Sequence, residues 1–196
     1  MAKRARLFVI SGPAGVGKGT LVNRVRALDP SFAVTVSATT REPRPLETDG
    51  VSYHFISEEE FSRLIDEDAF LEWAQVHDHR YGTLKSEVDD RLAKGISVIL
   101  EIDVQGGASV RKLYPDVVRI FVLPPSWEVL EERLRGRGTE SSESLALRLK
   151  NAKGELELAD TYDERIINDD LEKATMELLE TLKRYTKEEG TQPTCQ

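Results

Sequence analysis

Short apolar runs alternate along the chain with segments of helical periodicity. Leu7-Phe8-Val9-Ile10 is a compact apolar run that stops at Ser11-Gly12-Pro13, the pattern of a buried strand entering a turn. Residues 18–28 carry Leu21, Val22, Val25 and Leu28 at helical spacing, which predicts a helix with those four on its inner face. A short strand is expected at 33–37, and the stretch rich in Thr, Pro, Arg and Gly over 38–57 reads mostly as loop. The pattern then predicts a helix at 58–66, a strand at 70–76 and a helix at 84–94 closed by Gly95. Residues 96–103 are almost continuously apolar, as in a parallel strand covered on both faces, with Asp103 at the end of the run. A strand at 117–123 and a helix at 126–135 come next. A long helix follows at about 142–159, with Leu145, Leu149, Ala152 and Leu156 as its buried stripe. A strand at 165–167 and a helix at 171–185 complete the pattern, and the polar residues 186–196 are expected to fray.

Strands that alternate with helices predict an α/β fold built on a central parallel sheet. Ligands of such sheets bind beyond the carboxyl ends of the strands. The chemistry-bearing residues fall at those places, after Ile10, after Ile102 and after Ile167.

With 196 residues, the chain suffices for a single well-buried domain. The apolar share of 39% and the charged share of 32% are those of a globular protein. A formal net charge of −8 argues against a nucleic-acid partner, but leaves small anionic ligands open to a few focused arginines. No apolar run reaches the length of a membrane span, and the run after the basic residues 1–6 is too short for a signal peptide. The single cysteine, Cys195, excludes an internal disulfide and makes a reducing cytoplasm the expected compartment. His54, His77 and His79 form no metal or triad arrangement.

Gly12-Pro13-Ala14-Gly15-Val16-Gly17-Lys18 has the spacing of a phosphate-binding loop, with a strand before it and a helix after it. Its glycines let backbone N–H groups converge on phosphate oxygens, and Lys18 adds a mobile charge for the β- and γ-phosphates of ATP. The usual Ser or Thr after the lysine, a magnesium ligand, is replaced here by Gly19 followed by Thr20. Thr20, or else water and phosphate oxygens alone, then completes the shell of Mg²⁺. The Gly-Lys-Gly-Thr form is similar to that of adenylate kinases.

Several further motifs resemble the guanylate kinase family: Ser37-Ala-Thr-Thr-Arg41-Glu-Pro-Arg44, Asp49-Gly-Val-Ser-Tyr53-His-Phe55, Phe70-Leu-Glu72-Trp-Ala74, Tyr81-Gly-Thr83, Glu101-Ile-Asp103-Val-Gln-Gly106, Arg133-Leu-Arg-Gly-Arg137-Gly-Thr139 and Ile167-Asn168-Asp169-Asp170. Their order holds from residue 7 to about 185. The resemblance implies a three-layer phosphate-loop kinase that transfers a phosphoryl group from ATP to GMP, and also to dGMP, in purine nucleotide metabolism and GMP recycling. It implies a core of about 1–37, 84–135 and 149–196, a GMP-binding segment of about 38–83 and a mobile lid of about 136–148. No membrane, nucleic acid or obligate protein partner is implied.

By this resemblance Arg41 and Arg44 hold the acceptor phosphate, helped by the hydroxyls of Tyr53 and Tyr81. Paired arginines suit a group with close to two negative charges. Guanine offers donors at N1 and the 2-amino group and an acceptor at O6. A carboxylate meets the two donors, which assigns Glu72 to the base, with Ser37 and Thr83 for O6. In the lid, Arg137 and Arg148 are the implied catalytic pair, supported by Arg133, and stabilise charge on the transferring phosphoryl group. Asp103 either orders magnesium-bound water or helps hold the guanine. Asn168 and Asp169 stand where the family contacts the donor adenine.

Overall fold

The computed structural model describes residues 4–76, 78–136 and 142–187. In chain order the elements are β1 (Leu7–Ser11), α1 (Lys18–Leu28), β2 (Phe32–Val34), β3 (Ala38–Thr39), β4 (His54–Phe55), α2 (Glu58–Asp66), β5 (Phe70–Val76) and β6 (His79–Leu84). They continue with α3 (Lys85–Ala93), β7 (Ser97–Glu101), α4 (Val104–Leu113), β8 (Val118–Leu123), α5 (Trp127–Arg135), α6 (Ser142–Leu156), β9 (Glu164–Ile167) and α7 (Leu171–Thr186).

The central sheet is five-stranded and parallel, in the order β2-β7-β1-β8-β9. Its middle strand, β1, has every residue buried. Alternation along β1 divides the core: Phe8 and Ile10 point with Ile120 and Val122 into the layer under α1, α5, α6 and α7. Leu7 and Val9 point with Val98 and Leu100 toward α3 and α4. This two-sided burial is why the strand reads as an unbroken apolar run, and each such side chain contributes about 1.5–3 kcal/mol.

A second sheet, in the order β4-β3-β6-β5, is drawn entirely from residues 38–84. Its cover is α2, whose Phe61 is fully buried and stacks on Phe70 at 4.4 Å between ring centroids, with Trp73 edge-on at 6.3 Å.

Several expectations are corrected. Residues 38–57 are not merely loop, since β3 and β4 lie within them, and β6 and α4 were not foreseen. β2 covers 32–34 rather than 33–37. Leu28 is 56% exposed, so the inner face of α1 is Leu21, Val22 and Val25. β7 ends at Glu101, and Asp103 does not close that strand. It is the N-cap of α4, where its Oδ1 accepts from Gly106 N at 2.7 Å. An aspartate after an apolar run serves equally as strand end and helix cap, and only the chain reversal at 102 separates the two.

The turn at 44–47 carries strain. Glu47 N donates to Arg44 O at 3.0 Å across Pro45 and Leu46, and Leu46 has φ 77° with its side chain fully in solvent. Pro followed by a positive φ is the signature of a type II turn, whose third position suits glycine. The left-handed conformation costs a branched L-residue about 1–2 kcal/mol, and glycine returns about 0.5–1 of that as chain entropy. Leu46→Gly is therefore expected to raise Tm slightly, by a degree or a few, in calorimetric melting. A clear fall in Tm would mean that Leu46 carries a contact outweighing the strain.

Candidate active site

The phosphate loop bridges β1 and α1. Gly17 is the residue before the helix, at φ 98°, a left-handed conformation that L side chains rarely adopt. Lys18 curls back so that Nζ donates to the carbonyls of Gly12 at 2.5 Å and Pro13 at 3.3 Å. A cleft of about 310 Å³ opens over this loop, lined by Pro13, Gly15, Lys18, Gly19, Thr20 and one residue from another strand, Glu101. The Glu101 carboxylate lies 3.3 and 3.4 Å from the point where a Gly19 Cβ would stand. The missing side chain after Lys18 thus leaves room for a carboxylate from β7. Glu101 keeps an exposed rim but is set among protein atoms; that partial loss of solvation pushes its carboxyl up, and the charge of Lys18 pulls it down. Thr20 is exposed at the edge of the cleft.

Across from the loop, β5 and β6 pair Glu72 with Thr83. Thr83 is fully buried, and its Oγ1 donates to Glu72 Oε1 at 2.7 Å. Burial pushes the Glu72 carboxyl above its usual range, the Thr83 hydrogen bond opposes this, and the nearby Asp103 charge adds to it. A cleft of about 380 Å³ is lined by Glu72, Ala74, Asp103, Gln105 and Gly106 among others. The structure therefore brings Asp103 beside Glu72, while Glu101 occupies the floor at Lys18.

Arg41 stands at the end of β3, its guanidinium over the rings of Tyr53 at 5.5 Å and Phe55 at 5.8 Å, with Tyr53 and Tyr81 edge-on at 5.9 Å. Glu47 fixes it: both carboxylate oxygens accept from Arg41 Nη2, at 2.8 and 2.9 Å, and Oε2 also accepts from Arg44 N at 2.8 Å. The Arg44 amide and then Arg41 hold the Glu47 carboxyl below its usual range. The side chain of Arg44 is exposed, and Ser37 is half-buried just before β3.

On the donor side, Arg133 Nη2 donates to the carbonyl of Asn168 at 3.1 Å, and Asn168 is buried while Asp169 is exposed. Arg148 is half-buried on α6. Arg137, with residues 138–141 of the expected lid, lies outside the described residues.

Three carboxylates were missed in the sequence. Glu101 heads a motif and Glu47 lies between two of them, and neither position signals a role by itself. Glu155, half-buried on α6, lines a cleft with Asp103; burial raises its carboxyl, Lys18 lowers it and Asp103 raises it. On a helix rich in charge, nothing in the spacing distinguishes Glu155 from a solvated neighbour. Among the described residues, no three His, Cys, Asp or Glu side chains gather into a metal-holding group.

A phosphate loop at the end of a parallel sheet, facing a small second sheet that carries a desolvated carboxylate and a clamped arginine, defines a nucleoside-monophosphate kinase. The family model described as guanylate kinase matches residues 4–185. A guanylate kinase of Synechococcus sp. (strain CC9311) is 50% identical over 174 residues, 89% of this chain and 92% of that protein. One of Cutibacterium acnes (strain DSM 16379 / KPA171202) is 48% identical over 175 residues, covering 89% and 88%. The crystal structure of guanylate kinase from Anaplasma phagocytophilum aligns at a TM-score of 0.74 and 30% identity, over 94% of this chain and 87% of that one. The chain belongs to the guanylate kinase family.

Proposed function

We propose that the protein catalyses ATP + GMP ⇌ ADP + GDP, and accepts dGMP as well. The observation that carries this reading is Glu72, a carboxylate withdrawn from water and oriented by Thr83 on the sheet opposite the phosphate loop. It matches the N1 and 2-amino donors of guanine, with the Ser37 hydroxyl available to donate to O6, while the single O–H of Thr83 is spent on orienting Glu72. Asp103 belongs to the base side on this geometry, since it lines the Glu72 cleft and does not line the Lys18 cleft. Residues 38–83 form the GMP-binding segment, supported by the second sheet being drawn from them. Residues 136–148 form the lid, and the remaining chain the core.

Arg41 and Arg44, with Tyr53 and Tyr81, receive the acceptor phosphate; Glu47 holds Arg41 ready, so less side-chain freedom is lost on binding. An oxygen of the GMP phosphate attacks the γ-phosphorus of ATP, the bond from that phosphorus to the β–γ bridging oxygen breaks, and ADP leaves. Residues 12–20 bind the triphosphate through backbone N–H groups, and Lys18 neutralises charge there. Arg133, Arg137 and Arg148 supply positive charge from the lid side and exclude water. The hard oxygen donors of Glu101, at the cleft beside Lys18, would suit Mg²⁺ held chiefly by phosphates and water, with the exposed Thr20 hydroxyl left out of the shell. Bound there, the ion supplies neutralisation of the β- and γ-phosphate charge. A cytoplasmic location accords with this chemistry; no described helix is long and apolar enough to cross a membrane.

A coupled assay against GMP, AMP, UMP and CMP tests the reading. GMP is expected to be preferred by orders of magnitude, and comparable turnover of AMP would defeat it. The metal side has its own test. Thr20→Val is expected to leave the magnesium dependence of the rate nearly unchanged, whereas Glu101→Gln raises the Mg²⁺ concentration needed for half-maximal rate. The opposite ranking would return the missing ligand's place to Thr20.

A further inference from the structure

Asn168 follows β9 and is only 5% exposed, and its polar contacts among the described residues run to the phosphate loop and its supports. Its side-chain Nδ2 donates to the carbonyl of Val16 at 2.7 Å in a fully buried hydrogen bond. Its backbone N donates to Leu123 O at 2.8 Å, which pins the residue to the end of β8. Its carbonyl accepts from Arg133 Nη2 at 3.1 Å. A Cβ on Gly17 would come within 2.5 Å of Asn168 Nδ2, so the amide fills the space that any side chain at 17 would need. One side-chain amide thereby explains two features of the loop, the direction of the Val16 carbonyl and the requirement for glycine next to it.

We propose that Asn168 is a positioning residue: its side-chain amide holds the phosphate loop at Val16 in the triphosphate-binding form, and its carbonyl keeps Arg133 in register with that loop. The family resemblance places this residue at the donor adenine instead. An amide nitrogen has two N–H donors, and here the group is buried with one of them committed to Val16, which leaves it poorly placed to read a base. The inference rests on the loop being the ATP site, and the experiment separates failure of that reading from failure of this one.

Calorimetric titration with Mg-ATP and with Mg-tripolyphosphate, which has the three phosphates and no base, is compared for the wild-type protein, Asn168→Ala and Asn168→Asp. Melting temperatures are recorded alongside. Asn168→Ala strands a buried carbonyl in the loop, so affinity for both ligands is expected to fall by the same factor, about tenfold. Asn168→Asp sets a carboxylate against the Val16 carbonyl and is expected to weaken both ligands more at pH 8. At pH 5, where a carboxyl beside a carbonyl gains its proton and can donate, the loss relative to wild type at that pH should shrink. A loss confined to ATP, with tripolyphosphate unchanged, would overturn the proposal in favour of base reading. If Asn168→Ala melts below the assay temperature, Asn168→Asp decides: recovery at pH 5 supports the positioning role of the Val16 hydrogen bond, and equal loss at both pH values overturns it. Wild-type protein that binds neither ligand would overturn the reading of the loop itself, a result recognisable without any variant.

Discussion

Alanine at Lys18 is expected to lower kcat for GMP phosphorylation by about 10²–10³-fold, the usual cost of removing one preorganised charge from a transferring group. Lys18 Nζ now rests on the carbonyls of Gly12 and Pro13, two residues of the loop that wraps the donor phosphates. From there its Nζ can turn onto phosphate oxygens when they arrive, and the Glu72 cleft is lined by other residues. Calorimetry with GMP alone should therefore show little change in Kd. Loss of GMP affinity in a folded Lys18→Ala protein would remove Lys18 from the donor site. Glu101 and Glu155 both feel the charge of Lys18, which lowers their carboxyls. Without it, both are expected to titrate higher, so the acid limb of the residual activity, through Glu101, should lie at a higher pH than in the wild type.

Glu72→Gln is expected to cost about 10–100-fold in kcat/KM for GMP while AMP, though still poor, gains in relative terms. A charge-assisted hydrogen bond is worth about 1.5–3 kcal/mol, and the substitution replaces one acceptor oxygen with an NH₂ that faces a guanine donor. AMP lacks the 2-amino donor and presents an acceptor at N1, which a carboxylate repels and an amide can meet. Stability should move the other way. Burial raises the Glu72 carboxyl above its unfolded value, so ionisation is disfavoured in the fold, and stability is lost as pH rises through that interval. Above that interval the penalty is present in full, and the amide, which still accepts from Thr83, removes it. Tm is thus expected to hold or rise while activity falls. A lower Tm with an unchanged GMP-to-AMP ratio would make Glu72 a structural residue, and no change in either would make it a bystander.

Some of this was legible in the sequence because its causes are local. The phosphate loop is one contiguous stretch in which glycine spacing and a lysine act through backbone N–H groups, so seven letters and the flanking strand and helix suffice. The central strands were equally readable: a strand covered on both faces carries an unbroken apolar run, as residues 7–10 of β1 and 98–100 of β7 do. The family motifs placed Glu72, Arg41 and the tyrosines in order along the chain, and the second sheet does bring Glu72 to Thr83 and Arg41 to Tyr53 and Tyr81.

What tertiary structure alone decided has non-local causes. β3 and β4 have two residues each and exist only because partners lie beside them. Such strands carry no periodicity of their own. Leu28 matched the helical spacing of α1 but lies beyond the reach of the sheet, and remains 56% exposed. Glu101 rather than Asp103 meets Lys18 because the chain turns at 102 into α4, and a two-residue difference along a strand end moves a carboxylate from one cleft to another. Asn168 reaches Val16 across 152 residues of chain, a contact made only when β9 lies down against β8. A charge or an amide has the same letter whether it faces water, a ligand or a buried carbonyl. Its role follows from which partners the packed layers bring within hydrogen-bonding distance and from how much water they leave around it.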